Sequence, residues 1–197
     1  SAATVDRLSD GRLVLGVASG DRDPEYPAFG VDPENRGQIV RESVDALRAL
    51  WREDYPTLDG SWGHLDGELD VLPKPTTDTL PLFPTGNARQ STEWIAENGD
   101  GWIFYHLPES TLQSYLDTWR SHTSEKPFTI AVQVAFAADP TAGPEPLHLG
   151  YRAGVEWFRE YFRRLENYGL DHVIVGLRAP EPEAAMTTFA SEIIDEL

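Results

Sequence analysis

The sequence predicts an α/β fold organised around parallel strands. Short apolar runs alternate along the 197 residues with segments whose apolar residues recur at helical spacing, and about five strand–helix units follow one another in this way. No internal repeat or low-complexity tract interrupts the alternation. Strict alternation of this kind is typical of a parallel sheet, whether open or closed into a barrel.

The first strand–helix unit lies in the amino-terminal quarter of the chain. Arg12–Val17 is an apolar run (RLVLGV), which is typical of a strand buried on both faces. A long polar loop, Asp21 to Gly37, leads to a helix. The apolar residues on one face of that helix are Val40, Val44, Leu47 and Trp51. Glycines and prolines over about 58–76 then predict a small β-hairpin excursion.

The middle of the chain predicts two further strand–helix units. A short apolar run predicts the strand Leu80–Phe83, and the helix Arg89–Glu97 follows it. Trp102–Tyr105 is the next predicted strand, and Pro108 favours the start of a helix after it. The apolar residues of this second helix are Leu112, Tyr115, Leu116 and Trp119.

Phe128–Phe136 predicts the longest strand, because large apolar residues alternate there with small or polar ones. The narrow face of this strand carries Thr129, Ala131, Gln133 and Ala135. We expect that face to line a barrel interior. After a proline-rich loop, the spacing predicts a helix over Tyr151–Leu165, a strand over His172–Leu177 and a closing helix from Met186 to Leu197.

The composition excludes several classes of protein. Acidic residues outnumber basic ones by 33 to 16, for a formal charge of −17, so we expect no binding to nucleic acid or anionic membranes. The chain has no cysteine, which excludes disulfides and cysteine chemistry. Because it lacks a run of about 20 apolar residues and an amino-terminal signal pattern, we expect a soluble, cytoplasmic protein. The scattered acidic residues also suggest the hypothesis of a high-salt adaptation.

The stretch 80–103, LPLFPTGNARQSTEWIAENGDGWI, is the most informative about function. Small residues over 85–87 lie where a strand passes into a helix, which frees backbone N–H groups at the positive end of the helix dipole. Arg89 adds a forked donor and Ser91 a hydroxyl group. The pattern predicts an anion site, most often a phosphate site. An ordinary turn with a surface arginine is the alternative.

Several motifs in a fixed order give the chain a resemblance to a known family. They are RLSDGRLVLGVASGDRDPEYPAFGVDPENRGQIVRESVDALRALW, LPKP, the stretch 80–103 and the terminal EIIDEL. From Ser1 to Leu197 the sequence resembles the luciferase-like monooxygenases, which are flavin- or deazaflavin-dependent (β/α)8 barrels.

The resemblance implies a single domain over 1–197 that forms a partial (β/α)8 TIM barrel. It would comprise strands four to eight without the first three, and Ser1–Leu8 would be the last turns of the third helix. A complete barrel of about 250 residues would need about 90 more. Either a fragment or a naturally shortened member would fit. A second copy of the chain, as a homodimer, or a complementing N-terminal segment is expected to cover the open sheet.

The same resemblance implies which residues bind the cofactor. The implied contacts to the phosphate of FMN come from Ser19, Gly20, Asn87, Ala88, Arg89, Gln90 and Ser91. Asp21, His106 and Gln133 are candidates for contacts to the ring system or the substrate. The five histidines are too scattered to indicate a metal site, so none is expected. No catalytic residue is assigned, because part of the family's active site lies on the first three strands.

Three functions remain open at this point. The first is a luciferase-type, FMN-dependent monooxygenase, of which this chain is the C-terminal part. It would oxidise a small organic substrate with O2, using reduced flavin supplied by a flavin reductase or NAD(P)H. The second is a non-catalytic, shortened relative that only binds flavin. The third is a deazaflavin-dependent reductase on the same scaffold.

Overall fold

The computed structural model describes residues 2–197, and the chain divides after Trp102 into two compact units. We call the part up to Trp102 the first unit and Ile103–Leu197 the second unit. Each unit contains its own buried apolar residues. The helix expected over Ser1–Leu8 is present as α1 (Ala2–Leu8), and Ser1 lies outside the described residues.

The first unit alternates strands and helices as the sequence predicts. After α1, its helices are α2 (Glu25–Ala28), α3 (Arg36–Arg52) and α4 (Thr92–Asn98), with a 3-10 turn at Pro33–Asn35. Its strands are β1 (Leu15–Val17), β2 (Thr57–Gly60), β3 (Gly63–Asp66) and β4 (Leu82–Pro84). The strand β5 (Trp102–Tyr105) begins at the last residue of this unit and has the bounds expected from the sequence.

Strands β1 and β4 form a parallel pair in which Leu15 lies beside Leu82 and Val17 beside Pro84. Helix α3 packs against this pair. Its residues Val44 and Trp51 belong to a buried cluster with Leu80 and Leu82, which confirms the predicted apolar face. The expectation of a strand over 12–17 buried on both faces is wrong. β1 is shorter and only half-buried, because within residues 2–197 it pairs with β4 alone.

Two connections of the first unit differ in detail from the prediction. The loop expected over Asp21–Gly37 contains α2 and the 3-10 turn. The carboxylate of Asp32 caps that turn by accepting a hydrogen bond from the Glu34 amide at 3.0 Å. The predicted hairpin excursion is confirmed as β2 and β3, which pair antiparallel. Its ladder covers 57–66, so the rest of the predicted range 58–76 lies outside it.

The second unit contains a five-stranded sheet flanked by three helices. The helices are α5 (Glu109–His122), α6 (Val155–Asn167) and α7 (Pro182–Glu192), followed by a 3-10 turn at Ile194–Glu196. The strands after β5 are β6 (Phe128–Phe136), β7 (Glu145–Leu147), β8 (Gly150–Ala153) and β9 (His172–Leu177). β6 is central: it pairs with β5, and it runs parallel to both β8 and β9.

The two faces of this sheet have different neighbours. Val134 lies beside Tyr151 of β8, and the Tyr151 ring contacts Trp157 and Tyr161 of α6. We call this side the helix face. Side chains alternate along a strand, so Gln133 belongs to the opposite side, which we call the open face. The predicted division of β6 into a helix-packed face and a narrow face is therefore confirmed within this unit.

Three expectations for the second unit need correction. The helix predicted from Tyr151 begins at Val155, because Tyr151 is a strand residue of β8. The proline-rich loop contains β7, which pairs antiparallel with β8. In the closing helix, which ends at Glu192 instead of Leu197, Met186 is 62% exposed. The sequence did not reveal β7 and β8, because strands of three or four residues are too short to show a periodicity, and an aromatic residue such as Tyr151 fits a strand or a helix equally well.

Taken together, the secondary structure confirms a mixed α/β fold with predominantly parallel pairing. The strands described form three separate sheets, of two, two and five strands, and no closed barrel occurs among residues 2–197. No helix in this range combines the length and apolar character that a bilayer span requires.

Candidate functional site

The carboxyl ends of β1 and β4 bring two predicted segments to the same sheet edge. Because these strands are parallel neighbours, the segments that leave them, 18–20 and 85–91, start side by side. The Thr85 amide donates to the Val17 carbonyl at 2.7 Å and continues the pairing beyond Pro84. Ser19 and Gly20 thus begin on the same edge as the residues implied in phosphate binding after β4.

The turn after β4 has an uncommon backbone. Gly86, Ala88 and Arg89 have φ values of 59°, 45° and 59°, all in the left-handed region. A residue other than glycine costs on the order of 1–3 kcal/mol in this region, and such residues cluster at ligand sites. The Gln90 amide donates to the Asn87 carbonyl at 2.7 Å and closes the turn. We call 86–89 the left-handed turn.

The helix after this turn begins later than expected. Its first residue is Thr92, and Ser91 is the N-cap, so the helix start predicted at Arg89 is wrong. The left-handed φ of Arg89 explains the difference, since a helix cannot continue through it. The Ser91 hydroxyl oxygen accepts a hydrogen bond from the Trp94 amide at 3.2 Å. Its own O–H remains a donor for a ligand.

Gln90 braces the left-handed turn against α3. Its Nε2 donates to the carbonyl oxygens of Gly37 at 2.7 Å and Ala88 at 3.1 Å. Its Oε1 accepts from the Nη1 of Arg41 at 2.8 Å. The side-chain amide of Gln90 is therefore hydrogen-bonded within the protein. In the structure Gln90 supports the turn, and its amide is not free for a phosphate.

Arg89 and Asn87 are exposed at the tip of the turn. The guanidinium of Arg89 has no hydrogen-bond or ion-pair partner within residues 2–197, unlike that of Arg48, which pairs with Asp100 at 3.0 Å. A fork of donors without a partner beside a rigid turn is a suitable arrangement for an anion. Asp21 is also exposed, in the loop after β1.

A cavity of about 450 Å³ lies between that loop and α3. Ser19 and Gly20 line it together with apolar residues, and Arg36 closes it by donating from Nη1 to the Tyr26 hydroxyl. The Nε of Arg36 is buried without a partner among the described residues. Sequence reasoning missed Tyr26 and Arg36, because neither belongs to a recognisable spacing.

His106 lies on the helix face of the second unit. Its amide donates to the Ala131 carbonyl at 3.0 Å, and its ring lies edge-on to Tyr151 at 4.9 Å between centroids. Burial lowers the pKa of the imidazole below its ordinary value, and the charge of Glu109 opposes only part of this effect. The Nε2 of His106 has no partner within residues 2–197.

Gln133 lies on the open face, so the structure separates it from His106 by the thickness of the sheet. Its Oε1 accepts a hydrogen bond from the Nε of Arg178 at 3.0 Å. The side chain lies against Gly176, where an added Cβ would stand 2.5 Å from its Nε2. Sequence reasoning missed Arg178. No cluster of acidic or histidine side chains that could hold a metal occurs in the described part of the chain.

Comparison with known proteins identifies the family of the chain. The sequence model of the family described as luciferase-like monooxygenase matches residues 1–143. The chain belongs to this family. An uncharacterised Mycobacterium tuberculosis protein is 36% identical over 104 residues, which cover 52% of this chain and 36% of that protein. The chain thus matches about a third of the length of that relative.

The names of two further similar proteins include a cofactor. The oxygenase component of a flavin-dependent trigonelline monooxygenase from Acinetobacter baylyi is 36% identical over 83 residues, covering 41% of this chain and 21% of that protein. The structure of an F420-dependent secondary alcohol dehydrogenase superposes with a TM-score of 0.79 at 18% identity, covering 100% of this chain and 73% of the other. Flavin and deazaflavin, both expected from the sequence, occur among the relatives of this luciferase-like chain.

Proposed function

We propose that this chain is part of a luciferase-type, flavin-dependent monooxygenase that binds the phosphate of FMN at the carboxyl edge of β1 and β4. It corresponds to strands four to eight of the family's (β/α)8 barrel, with the two units as parts of one domain. The reaction is the oxidation of a small organic substrate with O2. A flavin reductase or NAD(P)H supplies the reduced cofactor, and a second copy or an N-terminal segment completes the sheet.

The left-handed turn is the observation that carries this proposal. Ala88 and Arg89 hold φ values of 45° and 59° without the freedom of glycine, so the surrounding structure must fix them. Gln90 provides part of that support through its bonds to Gly37 and Arg41. A rigid turn that presents an unpaired guanidinium beside a capping hydroxyl is suited to a dianionic phosphate.

The donor chemistry of these residues fits FMN. Arg89 would hold the phosphate through its guanidinium, and Ser91 would donate its O–H while its oxygen still caps α4. Asn87 adds an exposed amide side chain at the tip of the turn. When bound, the flavin supplies the redox chemistry with oxygen. The role of this part of the chain is to fix the cofactor's phosphate end.

A deazaflavin-dependent reductase is the second candidate, favoured by the F420-dependent relative described above. Its cofactor also carries phosphate, so the left-handed turn suits both. A non-catalytic flavin-binding protein is the third. Tight binding of F420 with none of FMN would support the reductase. Flavin binding without oxygen-dependent turnover, in the presence of NADH and a flavin reductase, would support the binding protein.

The test is FMN binding to Arg89→Ala, measured by quenching of flavin fluorescence. Loss of a charge-assisted hydrogen bond costs about 1–3 kcal/mol, so we expect the Kd to rise about 5- to 150-fold. Riboflavin, which lacks the phosphate, should bind the variant and the parent equally. Arg52→Ala is the matched control. Arg52 is exposed at the end of α3, and its substitution removes the same charge. Equal FMN affinity in parent and Arg89→Ala would refute the phosphate site.

A further inference from the structure

The open face of the second unit carries a group of side chains that the phosphate site does not use. Tyr105 and Ile174 are large apolar residues that are 43% and 49% exposed. Ile174 pairs with Ala131 of β6, and Gly176 pairs with Gln133 two residues further along. The face therefore has an apolar row, formed by Tyr105, Ala131 and Ile174. Nearer the carboxyl ends of the strands it has a polar row, formed by Gln133 and Arg178.

Alternation along each strand places these residues on one side. On β9, Val173 and Val175 line a cavity with Phe162 of α6, so Ile174 faces away from that helix. On β5, Phe104 contacts Tyr115 of α5, so Tyr105 also faces away from the helices. β5 and β9 flank β6 on its two edges, and their backbones are about 10 Å apart.

Gln133 fixes the direction of the Arg178 guanidinium. The Nε of Arg178 donates to Oε1 of Gln133 at 3.0 Å, and the Arg178 amide donates to the Val134 carbonyl at 2.8 Å. The two Nη groups of Arg178 and the Nε2 of Gln133 have no partner within residues 2–197. These free donors lie together at the end of the open face.

The guanidinium of Arg178 has no carboxylate partner among the described residues, although the chain carries 33 acidic and 16 basic residues. Other arginines of the second unit are paired: Arg120 with Asp171, Arg159 with Glu192, and Arg164 with Glu109. Arg152 lies beside Ala135 on the open face, and its side chain likewise has no ion-pair partner among the described residues. Arg178 has only an amide as its partner among the described residues, so its charge is available for an oxyanion.

Gly176 gives the Gln133 side chain the space that this arrangement needs. An added Cβ would stand 2.5 Å from Nε2 and 2.9 Å from Oε1 of Gln133. Any other residue at 176 would therefore push the amide away from Arg178. Because residue 176 is a glycine, the Gln133 side chain can lie close to the sheet, and the apolar row beside it stays accessible.

We propose that the open face binds an organic oxyanion, with its carboxylate on Arg178 and Gln133 and its planar apolar body over Tyr105, Ala131 and Ile174. The polar row lies about 7 Å along the strand from the apolar row, which suits a small aromatic acid. The binding itself is independent of the phosphate site. Only its assignment to the substrate rests on the proposed function. The oxyanion chemistry is shared with a cofactor phosphate, so the test must distinguish the two sources.

The test uses benzoate as the probe and the full chain without flavin. Benzoate should produce saturable shifts of the Gln133 side-chain amide in ¹H–¹⁵N spectra, whereas neutral benzamide should not. Arg178→Ala should weaken benzoate binding at least about tenfold. Gln133→Glu should do the same while remaining folded, because its carboxylate would pair with Arg178. Arg163→Ala removes an equal charge from α6, on the opposite side of the sheet, and should bind benzoate like the parent.

Three results would overturn the proposal. The first is benzoate binding of equal strength in Arg178→Ala and the parent, and the second is equal binding of benzamide and benzoate. The third is no benzoate binding to the parent; if Arg178→Ala then loses affinity for FMN but not for riboflavin, the guanidinium belongs to the cofactor. The phosphate site is tested by the FMN affinity of Arg89→Ala, and the oxyanion site is tested by the benzoate affinity of Arg178→Ala. Either proposal can therefore be refuted without the other.

Discussion

The indole Nε1 of Trp102 donates a hydrogen bond to the carbonyl oxygen of Gly86 at 2.6 Å. Trp102 is the first residue of β5 and is almost completely buried, whereas Gly86 is the first left-handed residue of the turn after β4. The bond therefore joins the left-handed turn to the start of the next strand. A buried aromatic side chain therefore helps to hold the left-handed turn in place.

We expect Trp102→Phe to lower the free energy of unfolding by about 1–3 kcal/mol, because the Gly86 carbonyl loses its partner in a buried place. FMN affinity should fall as well. Urea denaturation and flavin fluorescence measure the two effects. Trp62→Phe on the hairpin is the control, since Trp62 is 41% exposed. Equal stability of the two variants would show that the indole hydrogen bond contributes nothing.

Asp100 links α3 to β4. Its Oδ2 accepts from the Arg48 Nη2 at 3.0 Å and from the Leu82 amide at 2.9 Å. Asp100→Ala leaves both donors without this partner, so we expect a loss of about 1–3 kcal/mol in urea unfolding. Asp117→Ala removes the same charge from an exposed position of α5 and should change stability by less than about 0.5 kcal/mol.

His106 should make stability depend on pH near neutrality. Burial lowers its folded-state pKa below the ordinary 6.5, so the unfolded chain binds this proton more readily. The contribution of the neutral His106 side chain to the free energy of unfolding is complete above pH 6.5, and it is lost as the pH falls toward the lower folded-state pKa. His106→Gln should flatten the decline in the free energy of unfolding that denaturant titrations measure as the pH falls below about 6.5. If His64→Gln, on the exposed hairpin, flattened it equally, burial would not be the cause.

The net charge of −17 predicts a response to salt. The Debye length falls from about 10 Å at 0.1 M to about 3 Å at 1 M, so repulsion among the scattered carboxylates weakens. We expect the unfolding temperature to rise between low and molar NaCl, as a high-salt adaptation requires. Thermal scans by circular dichroism measure it. An unchanged unfolding temperature would end the hypothesis.

The sequence specified the regular elements well where periodicity was strong. The bounds of β6 and β9 agree with the alternating and apolar runs, and the apolar face of α3 is buried as expected. The short strands β7 and β8 escaped prediction, because three or four residues cannot establish a period.

The candidate site was harder to predict than the fold. The turn after β4 was found from its small residues, but neither Ala88 nor Arg89 favours the left-handed region, so its shape could not be inferred. The hydrogen bond between Gln133 and Arg178 joins residues 45 positions apart. It depends on the register of β6 and β9, which no local pattern reveals.

The backbone at Ala88 has a consequence for anyone who engineers this chain. A selection for heat resistance alone should recover Ala88→Gly early, since glycine adopts a φ of 45° without the steric cost that alanine bears there. Such variants would be more stable to heat, but the turn would adopt more backbone conformations. The most heat-stable variants should then bind FMN most weakly at the proposed site, so a screen should measure thermal stability and FMN affinity together.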